Sequence, residues 1–200
     1  MARQLIIRGI WIFVSNTACA HACRYCSTGR KRHDAIPFSR LAGVVERFAA
    51  WRETNGRPDF GIEFGIGHCY DYDVKTLGQL FALRDRISGR RTDRSLSLGG
   101  LRLRSVPEMR DWLQERRDDA GVDRIHASLA GYGAGHDRWN GRVGDFDFLM
   151  RTMQSGAELG LRLTQRLFVV NSTLPTLDTL AAALDRLDGC SDRQYSLFYY

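Results

Sequence analysis

The chain keeps a regular rhythm of short apolar runs. Six of them can be traced, the last five recurring about every 30–35 residues: Leu5–Val14, which is β-branched and aromatic, Phe60–Phe64, Ser95–Leu98, Asp123–Leu129, Leu161–Val170 and Gln194–Tyr199. Each reads as a strand. Between them lie stretches whose apolar residues recur every three or four positions, the signature of one helical face. Leu41, Val44, Val45 and Phe48 line the first stretch, over Phe38–Trp51, and Leu77, Leu80, Phe81, Arg84 and Ile87 line the second, with Asp73 as its cap. Ser105-Val106-Pro107-Glu108 is a capping box with proline in the first turn, ahead of Met109, Trp112 and Leu113. Asp145 is read as the cap of a helix turning Leu149, Met150 and Met153 inward, and Leu177, Leu180, Ala181, Leu184 and Leu187 stripe the last helix.

One strand and one helix per 30–35 residues is the length of a βαβ unit, so the expectation is an α/β fold with a parallel sheet and right-handed crossovers. Two closures satisfy it: an open doubly wound sheet, or a barrel with outer helices. In both, ligands bind at the C-terminal ends of the strands.

The chemistry sits at the first such end. Cys19, Cys23 and Cys26 fall within eight residues, spaced C-x3-C-x2-C, directly after strand one. Thiolates at this density select iron–sulfur clusters, zinc or copper(I). A structural zinc and an ordinary four-iron cluster each take four protein ligands. Three cysteines therefore leave one position for another ligand. A Cys3His zinc site completed by His21 or His33, or a set of buried thiols without metal, are the plainer alternatives. Five cysteines with three clustered do not make a disulfide framework.

The spacing, the aromatic Tyr25 just before the last cysteine and the preceding strand together resemble the radical S-adenosylmethionine (SAM) superfamily. The resemblance covers almost the whole chain and implies a partial (β/α)6 barrel as a single domain over residues 1–200. Relatives usually run on past strand six, so the reading is a trimmed core or a short member. It implies that Cys19, Cys23 and Cys26 hold three irons of a [4Fe-4S] cluster, that SAM chelates the fourth, and that the Tyr25 backbone meets the adenine. The family's Gly-Gly-Glu-Pro motif aligns with Ile66-Gly67-His68-Cys69. Gly67 matches, His68 stands for the acid, and Cys69 borders the expected cavity.

The segment from Val122 to His136-Asp137 is similar to the fourth-strand signature of the peptide- and sulfatase-maturing branch. That likeness implies a SAM carboxylate held by Ser128 and by a residue twelve positions on. The residue there is Asn140 where the family has arginine, with Arg138 and Arg142 as nearby cations, and Ala130 replaces an aspartate. Alternation places Arg124 and His126 on the face of Ser128, which makes His126 a candidate substrate contact. Gly131-Tyr132-Gly133-Ala134-Gly135 has the wrong spacing for a dinucleotide loop and no helix opening directly after it, so it reads as a lid or a turn.

The expected activity is reductive cleavage of SAM to a 5′-deoxyadenosyl radical that abstracts hydrogen, with a peptide or protein as substrate and a flavodoxin or ferredoxin as electron donor. Arg30-Lys31-Arg32 is a docking candidate for the donor. The alternatives are an iron–sulfur electron-transfer or binding protein without SAM turnover, and a structural zinc module. The net charge of +6 is carried almost wholly by scattered arginines with no single stripe, which argues against nucleic acid. Leu5–Val14 is too short for a membrane span and lacks a cleavage pattern, so the expected location is the cytoplasm.

Overall fold

The computed structural model describes residues 7–14, 18–26, 36–66 and 71–197. Strands and helices alternate: β1 (Gly9–Val14), α1 (Phe38–Thr54), β2 (Gly61–Ile66), α2 (Val74–Ser88), β3 (Ser95–Ser97), α3 (Val106–Ala120), β4 (Arg124–Leu129), α4 (Ala134–Asn140), α5 (Asp145–Glu158), β5 (Arg162–Val169), α6 (Leu177–Leu184) and β6 (Cys190–Leu197). All strand pairs are parallel. β1 pairs with β2, and β3-β4-β5-β6 form a second sheet in sequence order. A strand order without reversal keeps right-handed crossover helices on one face and leaves the other face without them.

Burial follows this division. On β4, Ile125, Ala127 and Leu129 are fully buried, whereas Arg124, His126 and Ser128 are half-buried. The first set meets α5. A Cβ on Gly156 would lie 2.5 Å from Ile125 Cδ1, so the missing side chain lets this helix sit directly on the sheet. Leu96, Leu163 and Leu167 continue that buried face into β3 and β5, in one core with Leu77, Leu80, Phe81 and Leu113 of α2 and α3. Burying each such leucine contributes about 1.5–3 kcal/mol.

Local signals explain the starts of α2 and α3. The Asp73 carboxylate accepts the Thr76 N–H at 2.8 Å, and the Ser105/Glu108 capping box closes in both directions. Three expectations change. Val44 is 42% exposed and lies off the buried stripe of α1, which is Leu41, Ala42, Val45 and Ala49. A helix, α4, does open within the glycine-rich segment. And Asp145 does not cap α5: Asp137 does, accepting the N–H groups of Gly144 (2.7 Å) and Phe146 (2.9 Å). That substitution leaves the Asp145 carboxylate free for another task. No helix among the described residues is long and apolar enough to cross a membrane.

Candidate functional site

The cysteine loop is bonded to the C-terminal side of the second sheet. Ala20 donates its N–H to the Gly100 carbonyl just past β3 (3.0 Å). Ala22 and Arg24 donate to the carbonyls of Asn140 (2.9 Å) and Trp139 (2.8 Å), at the end of the helix that follows β4. The approach is close. Gly141 has φ +64°, and a Cβ there would lie 2.7 Å from the Ala22 carbonyl oxygen. The Tyr25 ring lies 4.9 Å from Phe168 near the end of β5 and stacks on Trp139 at 6.5 Å. The loop thus spans the ends of three neighbouring strands. Cys19 and Cys23 are half-buried in it and Cys26 is exposed.

Beneath the loop lies a buried polar network centred on Asp145, whose side chain has no solvent exposure. His21, between Cys19 and Cys23, donates Nε2–H to Oδ1 at 3.1 Å. Its Nδ1 faces the Gly100 N–H at 3.2 Å, and that bond fixes the tautomer. His136 is held in the same way: Ala130 N–H donates to Nδ1 at 3.0 Å, and Nε2–H reaches Asp145 Oδ2 at 3.0 Å. Asn140 Nδ2 donates to the same oxygen at 2.6 Å, while its Oδ1 accepts the Tyr25 hydroxyl at 2.6 Å. The Arg142 guanidinium completes the set through Nε (3.1 Å) and Nη2, and also bonds the Leu101 carbonyl. Burial alone would raise the Asp145 carboxyl. The two imidazole N–H donors and the Arg142 charge outweigh it and hold the group far below the ordinary carboxylate range.

The same burial pushes Cys23 up to about 11, reinforced by Cys19, Cys26 and Asp145 and opposed by the Tyr25 hydroxyl. Tyr25 is raised too, first by burial and then by Cys23. Without metal, Cys23 is therefore a thiol at neutral pH, and a coordinated cation would remove its proton. All three thiols lie on one short loop, and Cys19 and Cys26 are both near enough to act on Cys23. This donor set suits a soft metal. Among the described residues, no three His, Cys, Asp or Glu side chains are arranged to hold one metal ion.

The other expected residues divide. Gly67, His68 and Cys69, like Arg30-Lys31-Arg32 and His33, lie outside the described residues. Cys190 opens β6, away from the loop. Ser128 lies on the face of β4 not packed on α5, with His126. Arg138 is exposed on α4. Asn140 and Arg142, expected near a ligand carboxylate, instead bind the protein's own carboxylate, Asp145. The sequence reading missed Arg166, which stands in register with Ser128 on the adjacent strand. Alternation along β5, once paired with β4, is the signal that finds it. It also missed Asp145 as the partner of His21 and His136 as a second donor to that carboxylate, because nothing local links His21 to a residue 124 positions away.

An apolar hollow lined by Ile10, Phe48, Trp51 and Phe60 lies at the opposite, N-terminal ends of β1 and β2, away from this chemistry. No family model and no curated protein sequence matches the chain.

Proposed function

We propose that this chain is the core of a radical SAM enzyme built as a partial (β/α)6 barrel. One observation carries the reading: a three-cysteine loop that leaves one metal position open is bonded across the C-terminal ends of β3, β4 and β5, where a barrel of this kind binds its ligands. The sequential strand order supports the barrel, since a doubly wound sheet requires a reversal. Cys19, Cys23 and Cys26 would hold a [4Fe-4S] cluster. When bound, the cluster and SAM supply reductive cleavage to a 5′-deoxyadenosyl radical that takes a hydrogen atom from substrate.

The chain's own residues position and shield. Asp145 fixes His21 and thereby the backbone between two of the cysteines. Tyr25, Trp139 and Phe168 form an apolar wall beside the loop, which restricts water on that side. Ser128 offers a hydroxyl to the SAM carboxylate. Of the three candidates for the accompanying charge or amide, Arg138 is the one outside the Asp145 network. Cys26, exposed at the loop's edge, is the side where a flavodoxin or ferredoxin would deliver an electron. The fourth-strand likeness points to a peptide or protein substrate and the thiol chemistry to a reducing compartment such as the cytoplasm.

Anaerobic reconstitution with iron, sulfide, SAM and dithionite tests the reading, with 5′-deoxyadenosine as the expected product. An intact cluster that forms none favours the second reading, an electron-transfer or binding protein. That reading is motivated by the commitment of Asn140 and Arg142 to Asp145. Zinc without iron in anaerobically purified protein would establish a structural zinc module instead. Cys23→Ala is expected to abolish iron retention and Cys190→Ala to leave it unchanged; equal iron in the two variants contradicts the ligand assignment.

A further inference from the structure

The sheet face opposite α5 carries a second group of residues that the cysteine loop does not use. The register puts His126 beside Thr164, and Thr164 beside Asp192. Arg124 lies two residues to one side of this row and Arg166 two residues to the other, each about 7 Å away along the strand. Both guanidiniums act on His126. Burial lowers its basicity first, Asp93 opposes, and Arg166 and Arg124 lower it further. The imidazole is therefore neutral at pH 7 and can donate one hydrogen bond.

The donors here are short of acceptors. Thr164 is 5% exposed, and its hydroxyl is buried without a partner among the described residues. Arg124 Nε is likewise buried without an acceptor. Among the described residues, Arg166 makes a long contact, 3.4 Å, to Gln194 Oε1. Elsewhere in the molecule, part-buried arginines bind carboxylates: Arg94 with Asp85, Arg104 with Asp71, Arg142 with Asp145. Neither Arg124 nor Arg166 pairs with a carboxylate among the described residues. A buried donor left without an acceptor is destabilising, and a bound oxyanion removes that cost. The acidic neighbours are engaged: Asp93 holds the Ser95 hydroxyl, and Asp192 accepts Gln194 Nε2 at 2.7 Å. Arg162, in register with Arg124 on the same face, is paired with Asp123 at 2.8 Å. With Arg124 and Arg166 left against Asp93 and Asp192, a singly charged carboxylate suits the face better than a doubly charged phosphate.

We infer that the open face around His126 and Thr164, flanked by Arg124 and Arg166, is a carboxylate-binding site, and that the substrate of the proposed reaction carries this carboxylate. The second half of the inference rests on the radical SAM reading; the first does not. A guanidinium fork binds carboxylate through two parallel bonds, and the Thr164 hydroxyl and the imidazole N–H supply the remaining donors.

Titration of metal-free protein with succinate, at constant ionic strength, tests the site through the His126 ring signals in a histidine-labelled sample. A saturable shift in the millimolar range is expected, with none from the neutral diamide succinamide. Arg166→Gln, at an exposed position that folding tolerates, is expected to weaken binding about tenfold, as is Thr164→Val. Absence of a saturable shift overturns the site, and so does an unchanged affinity in both variants. Phosphate binding more tightly than succinate overturns the carboxylate assignment. Succinate binding in a chain that never retains iron removes the radical reading and keeps the site. A cluster that makes 5′-deoxyadenosine in a chain without succinate binding does the reverse.

Discussion

Two aspartates gather donors at opposite ends of this molecule, and they do so differently. At the N-terminal side of β3, Asp85 accepts the Thr92 N–H and hydroxyl, both at 2.7 Å, and the Arg94 guanidinium. Every partner lies within nine residues, and the carboxylate is 27% exposed. At the C-terminal side, Asp145 collects His21, His136, Asn140 and Arg142 with no exposure, and one partner is 124 residues away. The first arrangement closes a turn between a helix and a strand. The second ties a remote loop to the sheet. A local hub secures its own segment, whereas a buried long-range hub sets the position of a loop far from it in sequence.

The largest contrast is expected from amide replacements. Asp145→Asn leaves a guanidinium and two imidazole N–H groups facing an uncharged amide, a loss of about 3–5 kcal/mol. At this chain length it should lower Tm by roughly 6–20 °C and, under the iron–sulfur reading proposed above, empty the loop of iron. Asp85→Asn should cost about 1 kcal/mol and leave iron retention unchanged. Thermal melts with iron analysis decide, and equal effects in both would end the distinction between the hubs.

Next is the loop contact alone. Gly141→Ala forces a Cβ against the Ala22 carbonyl at positive φ, so iron retention should fall with only a moderate loss of stability. Gly56 also has positive φ, but open space surrounds its Cβ position. Gly56→Ala should therefore cost only about 1–2 kcal/mol of backbone strain and no iron. Loss of iron in both variants would point to a general softening instead of a broken dock.

Smaller and more discriminating are the responses to acid and salt. Both carboxyls titrate below their unfolded value of about 3.9, so both contribute stability that is complete above roughly pH 5 and is lost on acidification. The Asp85 contribution should disappear between about pH 4 and its folded value of about 2. The Asp145 contribution should still be declining at the lowest pH reached. Added salt should weaken the part-exposed Asp85 cluster and barely affect Asp145. Denaturant melts of the two amide variants against the parent chain, across pH and ionic strength, measure both responses.

Much of the architecture was legible because its signals are local. The Asp73 cap, the Ser105/Glu108 box and the alternation along β4 each declare an element within a few residues. The helix α4 did not announce itself. Its seven residues include Gly135 and no apolar stripe, and what holds it is the burial of His136 and Asn140 in the Asp145 network. The same fact explains the misassignment of Asp145. An acidic residue just before an apolar run reads as a cap, and only tertiary structure shows that Asp137 fills that role. That the three cysteines share one short loop was legible from spacing alone. Their seat was not, since the pairing of Ala22 with Asn140 and of Ser128 with Arg166 depends on which strands lie side by side.

The long span between His21 and Asp145 also has a consequence during synthesis. At 5–20 residues per second, the thiols emerge roughly 6–25 s before the aspartate that fixes their loop has been made. Through that interval Cys19, Cys23 and Cys26 are an unprotected cluster of oxidisable sulfur on a nascent chain. Expression under low oxygen should therefore raise the yield of iron-competent protein even where the fold itself forms equally well in air.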